Sequence, residues 1–289
     1  MRFRIVFVPV AAGVLLATAE DAGAYCRTST AQIPAGYDPA VYGCWQEGTP
    51  VAWTAGRVGY SLDSAASRQV SLADATRVAH QAFAAWNNAP CQGGNPIVQA
   101  FDNGPVSSSA AADDCGLDKC DPTYHDSLHV IVFRDTSWPY DDNTNTLALT
   151  TVTYGVDSAE IFDADIEINS SQHALTVHEP PPSGYYDLQA ILTHEAGHFF
   201  GLAHATSTSA IMYAFYKPGA VSLSPDDVDG VCTVYSPLNT SPSGVACACD
   251  AVGRTARGTL GAAASVLALL GAITCRSRRR LSRWKRRTR

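Results

Sequence analysis

The run His194-Glu195-Ala196-Gly197-His198-Phe199-Phe200-Gly201-Leu202-Ala203-His204 constrains this chain more than any other part of it. His194 and His198 stand four apart, so on a helix they project from one face, one turn above the other. Neutral imidazoles placed in this way can share one zinc ion. Glu195, beside the first of them, is placed to take a proton from a water at that ion. Gly201 lets the chain leave the helix by a sharp turn, because glycine tolerates positive φ cheaply. The turn brings His204 back as a third nitrogen ligand. Three protein ligands leave a fourth position open, the pattern of a catalytic rather than a structural site. A buried helix that merely carried histidines would hold costly polar groups without partners.

The rest of the chain divides around this run. Met1–Ala24 has a basic start, an apolar stretch from Ile5 to Ala17 and a small-residue Ala22-Gly23-Ala24 pattern, which reads as a secretory signal peptide cut before Tyr25. Residues 25–50 form an N-terminal segment rich in Gly, Pro and Tyr, 51–237 the folded domain, and 238–257 a linker carrying Cys247 and Cys249. Residues 258–275 carry no charge and are just long enough to cross a bilayer, and 276–289 form a basic tail expected on the cytoplasmic side. Between residues 25 and 249 stand 7 Lys and Arg against 24 Asp and Glu. That excess excludes a nucleic-acid partner and suits an exported domain, with calcium held through carboxylates as a further expectation. Cys26, Cys44, Cys91, Cys115, Cys120 and Cys232 are an even set for an oxidising compartment. Proximity suggests Cys26–Cys44 and Cys115–Cys120, leaving Cys91 with Cys232; zinc ligation by Cys115 and Cys120 is the alternative.

Period and capping residues place the elements. Strands are expected at Val58–Leu62, Ile97–Phe101, His129–Phe133, Leu147–Tyr154 and Ile161–Asn169. In the last of these, Asp163, Asp165 and Glu167 alternate onto one face. A half-exposed strand explains them more simply than a cation site. Helices are expected from the Ser71 cap to Trp86, from the Asp187 cap to Phe200, and from the Ser224 cap onward, with Pro225 in the first position and Asp226 and Asp227 in the first turn.

The string H-E-x-x-H-x-x-G-x-x-H resembles the zinc motif of the metzincin metalloproteases. Ser209-Ala210-Ile211-Met212-Tyr213 follows where metzincins place a methionine turn beneath the metal. Then Ile211 to Tyr216, Leu223-Ser224-Pro225-Asp226-Asp227-Val228-Asp229-Gly230 and Tyr235 are similar to the ending of the matrixins. The resemblance implies a two-lobed metzincin-like α/β (α+β) fold: a mixed twisted sheet, two long helices, and a small C-terminal lobe with a third helix. It implies one catalytic Zn2+ on His194, His198 and His204, Glu195 as general base, Met212 beneath the imidazoles, and Tyr213 and Tyr216 at the substrate pocket. The Leu147–Tyr154 strand would be the edge that an extended peptide joins. The implied activity is a zinc metalloendopeptidase acting as a monomer on protein or peptide substrates.

Matrixins usually carry proline where Ala214 stands, and no cysteine-switch propeptide or hemopexin-like repeat is visible. Cys44 could hold zinc in a latent form, against the expected pairing with Cys26. His125, His129, His173 and His178 do not form a second zinc set. Two alternatives are a non-catalytic surface binding module with the same fold and an astacin-like metzincin, for which Tyr213 is one residue out of register. The order of cysteines, apolar stretch and arginines at the C-terminus is similar to MYXO-CTERM sorting signals. It implies retention in the membrane until processing and then display at the cell surface or release.

Overall fold

A computed structural model describes residues 25–34, 36–107, 128–140 and 145–237. The expected signal peptide, Cys115, Cys120 and the acids around them, the Cys247–Cys249 linker, the 258–275 stretch and the basic tail lie outside the described residues. Among the described residues no helix is long and apolar enough to cross a membrane.

The elements run β1 (Cys26–Arg27), α1 (Pro39–Tyr42), β2 (Arg57–Leu62), α2 (Leu72–Asn87), β3 (Gln99–Asp102), β4 (Val130–Phe133), β5 (Ala148–Tyr154), β6 (Ile161–Ile168), β7 (Leu175–Thr176), β8 (Tyr186–Asp187), α3 (Leu188–Phe199), β9 (Leu202–Ala203) and α4 (Pro225–Tyr235). One mixed sheet has the order β3-β2-β4-β6-β5, parallel except for β5, which runs antiparallel to β6 at the edge. This is the mixed α/β architecture that the sequence implies. β4 reads Val-Ile-Val-Phe because an inner parallel strand is covered on both faces. The strand expected from Ile97 starts only at Gln99, since the Ile97 amide donates instead to the Tyr235 carbonyl at 2.7 Å.

Both long helices begin at the caps read from sequence. Ser71 accepts from the Asp74 amide, and Asp187 accepts from the Gln189 amide. α2 buries a stripe of Ala75, Val78, Ala79, Ala82, Phe83 and Trp86 at helical spacing. α3 is enclosed on more sides, with nine of its twelve residues buried, so its position is fixed by the core rather than by one face. The two helices are locked together. Trp86 Nε1 donates to the Thr193 carbonyl at 2.8 Å, and Phe83 meets Phe199 edge-on at 5.1 Å while stacking on Tyr60 at 4.0 Å. Rings of this size stabilise by about 1.5–3 kcal/mol each when buried, which is why the zinc-motif helix has little freedom to shift.

Residues 25–50, which have no period in sequence, are held by pairing. Cys26 and Arg27 of β1 lie antiparallel to Ala203 and Leu202 of β9. The Cys26–Cys44 and Cys91–Cys232 disulfides are both present, so Cys44 is committed to Cys26 and cannot serve as a zinc ligand. The acids of β6 form a hydrogen-bonded ladder toward the segment beginning at His129. Asp163 Oδ1 lies 2.8 Å from His129 Nδ1, Asp165 Oδ1 accepts from the Val130 amide, and Glu167 accepts from Arg134 Nε and the Tyr140 hydroxyl. Alternation along the strand therefore reflects protein partners. Among the described residues, no cluster of carboxylates is gathered for calcium.

Candidate metal centre

α3 carries His194 and His198 on the face turned toward the C-terminal segment. His194 Nδ1 lies 2.7 Å from the Ile211 carbonyl and His198 Nδ1 lies 2.8 Å from the Leu202 carbonyl. A carbonyl only accepts, so each Nδ1 carries the proton and each Nε2 is left as a bare donor atom. The helix then ends at Gly201, whose φ is +83° and whose amide donates to the His198 carbonyl at 2.8 Å. A Cβ there would stand 2.8 Å from the Val51 carbonyl oxygen, so sterics and backbone both require glycine. Past this turn His204 faces the first two rings. The three ring centroids are 4.9–5.2 Å apart, and one ligand atom from each residue lies within 4.8 Å of the others.

Burial acts on two of the three rings. It holds His198 well below the usual imidazole range and His204 down to about 4, with the neighbouring His194 adding to both shifts. Neutral imidazoles with the far nitrogen anchored on a carbonyl are the donor chemistry of a divalent transition-metal site. Glu195 is 6% exposed, and burial pushes its carboxyl up. His194 and the Thr150 hydroxyl and amide pull it part of the way back.

Met212, 1% exposed, lies against α3 between the two helical histidines, at Gly197. A Cβ on Gly197 would overlap the Met212 sulfur and come within 2.7 Å of Trp86 Cζ2. Gly197→Ala is therefore expected to lower stability by about 1–3 kcal/mol through overpacking and to weaken metal binding. Urea unfolding and a zinc titration would show both; a variant as stable and as tight as the parent would contradict the packing argument.

A cavity of about 620 Å³ lies over the triad, between β5 and α3 on one side and the 210–220 segment on the other. Tyr213 and Tyr216 both line it. Tyr216 is tied to the start of α3, its hydroxyl accepting from the Asp187 amide at 2.8 Å while its ring meets Tyr186 edge-on at 5.0 Å.

Two residues of the site were not identified from sequence. Thr150 Oγ1 donates to Glu195 Oε2 at 2.6 Å. A threonine in a strand pattern gives no local sign of such a contact. Asp227 fills the capping box of α4 with Ser224, and its carboxylate also accepts from the Ile211 and Met212 amides at 2.8 and 3.1 Å. The Ser-Pro-Asp-Asp run signals the cap but not the reach to the methionine turn.

Residues 131–236 match the Matrixin family. The chain is similar to an interstitial collagenase of Bos taurus, 45% identical over 62 residues that cover 20% of this chain and 13% of the collagenase. It is similar to a metalloendoproteinase, 1-MMP, of Arabidopsis thaliana at 34% over 84 residues, covering 28% and 20% of the two chains. Stromelysin-1 of Equus caballus matches at 45% over 56 residues, covering 18% and 12%. The chain thus spans a fifth or less of the length of these relatives. The matched segment, which contains triad, methionine turn and closing helix, is matrixin-like.

Proposed function

We propose that the chain is an exported zinc endopeptidase, with the catalytic unit in residues 51–237. The observation that carries this reading is the convergence of three imidazoles and a buried carboxylate at the floor of a cleft whose wall is a sheet edge. His194, His198 and His204 would hold the zinc, which when bound supplies Lewis acidity at the scissile carbonyl. β5 ends the sheet, so its outer amides and carbonyls are available to an extended peptide, which would add as a further strand. Glu195 accepts a proton from the attacking water on its carboxylate and returns it to the leaving amine. Tyr213 and Tyr216 border the space into which a substrate side chain would point.

The substrates on this reading are extracellular proteins or peptides, and the acid excess argues against nucleic acid. The two disulfides suit an oxidising compartment outside the cytoplasm. The protein would act as a monomer at the cell surface or free of it, with the 258–275 stretch holding it at the membrane until processing.

Chelation of the full chain is expected to reduce casein and gelatin hydrolysis by at least about 100-fold, with activity returning when zinc is added back. Hydrolysis that persists in chain shown to be free of metal would overturn the proposal.

A further inference from the structure

We propose that Thr150 is a positioning residue for Glu195, so that the strand offered to the substrate also orients the carboxylate that works on it. This rests on the endopeptidase reading above. Thr150 stands at the middle of β5, opposite Ile166 of β6. Its Oγ1 lies 2.6 Å from Glu195 Oε2 and 3.3 Å from the Glu195 carbonyl oxygen. A hydroxyl has one proton to give, and the shorter contact to the ionisable oxygen takes it. Oε2 is then engaged, and Oε1 is the oxygen left for proton transfer.

The terminal torsion of a glutamate is broad and roughly two-fold, so the carboxylate of a free side chain would turn between equivalent settings. Burial narrows the space but does not choose between the oxygens; Thr150 does, with its hydroxyl on Oε2 and its amide beside the carboxylate. Because Thr150 belongs to β5, a peptide that pairs with the strand is registered against the same residue that holds the base. The consequence falls on turnover. Substrate affinity depends on main-chain pairing and the cavity walls, and metal affinity on the imidazoles; Thr150 lines the cavity, but its hydroxyl is already given to Glu195.

The test compares Thr150→Val, which removes the hydroxyl while keeping a β-branched strand residue, with Thr150→Ser, which keeps it. With zinc-loaded full chain, Thr150→Val is expected to lose about tenfold or more in kcat, as befits a hydrogen bond to a charged group, with KM within about twofold. Thr150→Ser should stay within about threefold of the parent. Parental kcat in Thr150→Val, or equal damage in both variants, would overturn the proposal.

A second measurement is independent of turnover: thermal unfolding of the metal-free full chain in a cycle with Glu195→Ala. Thr150→Val should lower Tm by about 2–6 °C in the parent and change it little in the Glu195→Ala background. Equal shifts in both backgrounds would mean that the two side chains do not interact. A parent inert toward every substrate would sink the endopeptidase reading, while the unfolding cycle would still decide whether Thr150 holds the carboxylate.

Discussion

Glu195→Gln is expected to cut peptide-bond hydrolysis by about 10²–10⁴-fold while leaving the zinc content of the chain unchanged. Glutamine keeps the size of the side chain and an oxygen that can accept from Thr150, so the local packing survives. What it loses is the ability to take a proton. His194 and His198 keep their carbonyl partners at Ile211 and Leu202, which do not depend on Glu195, so the metal stays. The same substitution should hold or raise the melting temperature of the metal-free chain, because burial already disfavours the charge on Glu195. An inactive, zinc-replete and equally stable variant is therefore the expected combination. Activity within tenfold of the parent would remove Glu195 from the chemistry. Loss of zinc would give it a structural part instead.

How far the sequence could be read depended on whether each feature is local. Ser71, Asp187 and Ser224 mark helix starts because a cap bonds to an amide two or three residues on. The zinc triad is legible for the same reason: two ligands sit on one helical turn, and Gly201 forces the bend that returns the third. β1 escaped notice because two residues carry no period, and its order comes from Ala203 and Leu202, far along the chain. The pairing of Asp163 with His129 and of Glu167 with Arg134 crosses 34 and 33 residues, to the two ends of β4, so alternation on β6 alone could not distinguish hydrogen-bonded partners from a cation site. Thr150 and Asp227 belong to the same class. Each acts through a partner brought near by the sheet or by the last helix, and a linear pattern records neither.

Asp227→Ala is expected to be the most destabilising single change near the site. The carboxylate is 1% exposed and takes the Ile211, Met212 and Ser224 amides and the Ser224 hydroxyl at 2.7–3.1 Å. Alanine would strand three backbone N–H groups, and a buried donor left without a partner costs about 1–3 kcal/mol. With some relaxation and entry of water the total should come to about 3–5 kcal/mol, a fall in Tm on the order of 10 °C. Ser224→Ala separates the two parts of this loss: it removes the cap alone and should cost only about 1 kcal/mol. The remainder belongs to the methionine turn. That turn presents the Ile211 carbonyl to His194 Nδ1, so a loosened turn leaves the first imidazole without its fixed partner. Zinc affinity should then fall by about 10–100-fold in Asp227→Ala and little in Ser224→Ala. Asp227→Asn should fall between them, since one amide oxygen still accepts while the NH2 group opposes a backbone donor. Calorimetry and zinc titration on the three variants check the order. Equal losses in Ser224→Ala and Asp227→Ala would show that Asp227 only caps α4 and that the turn holds the histidine without it.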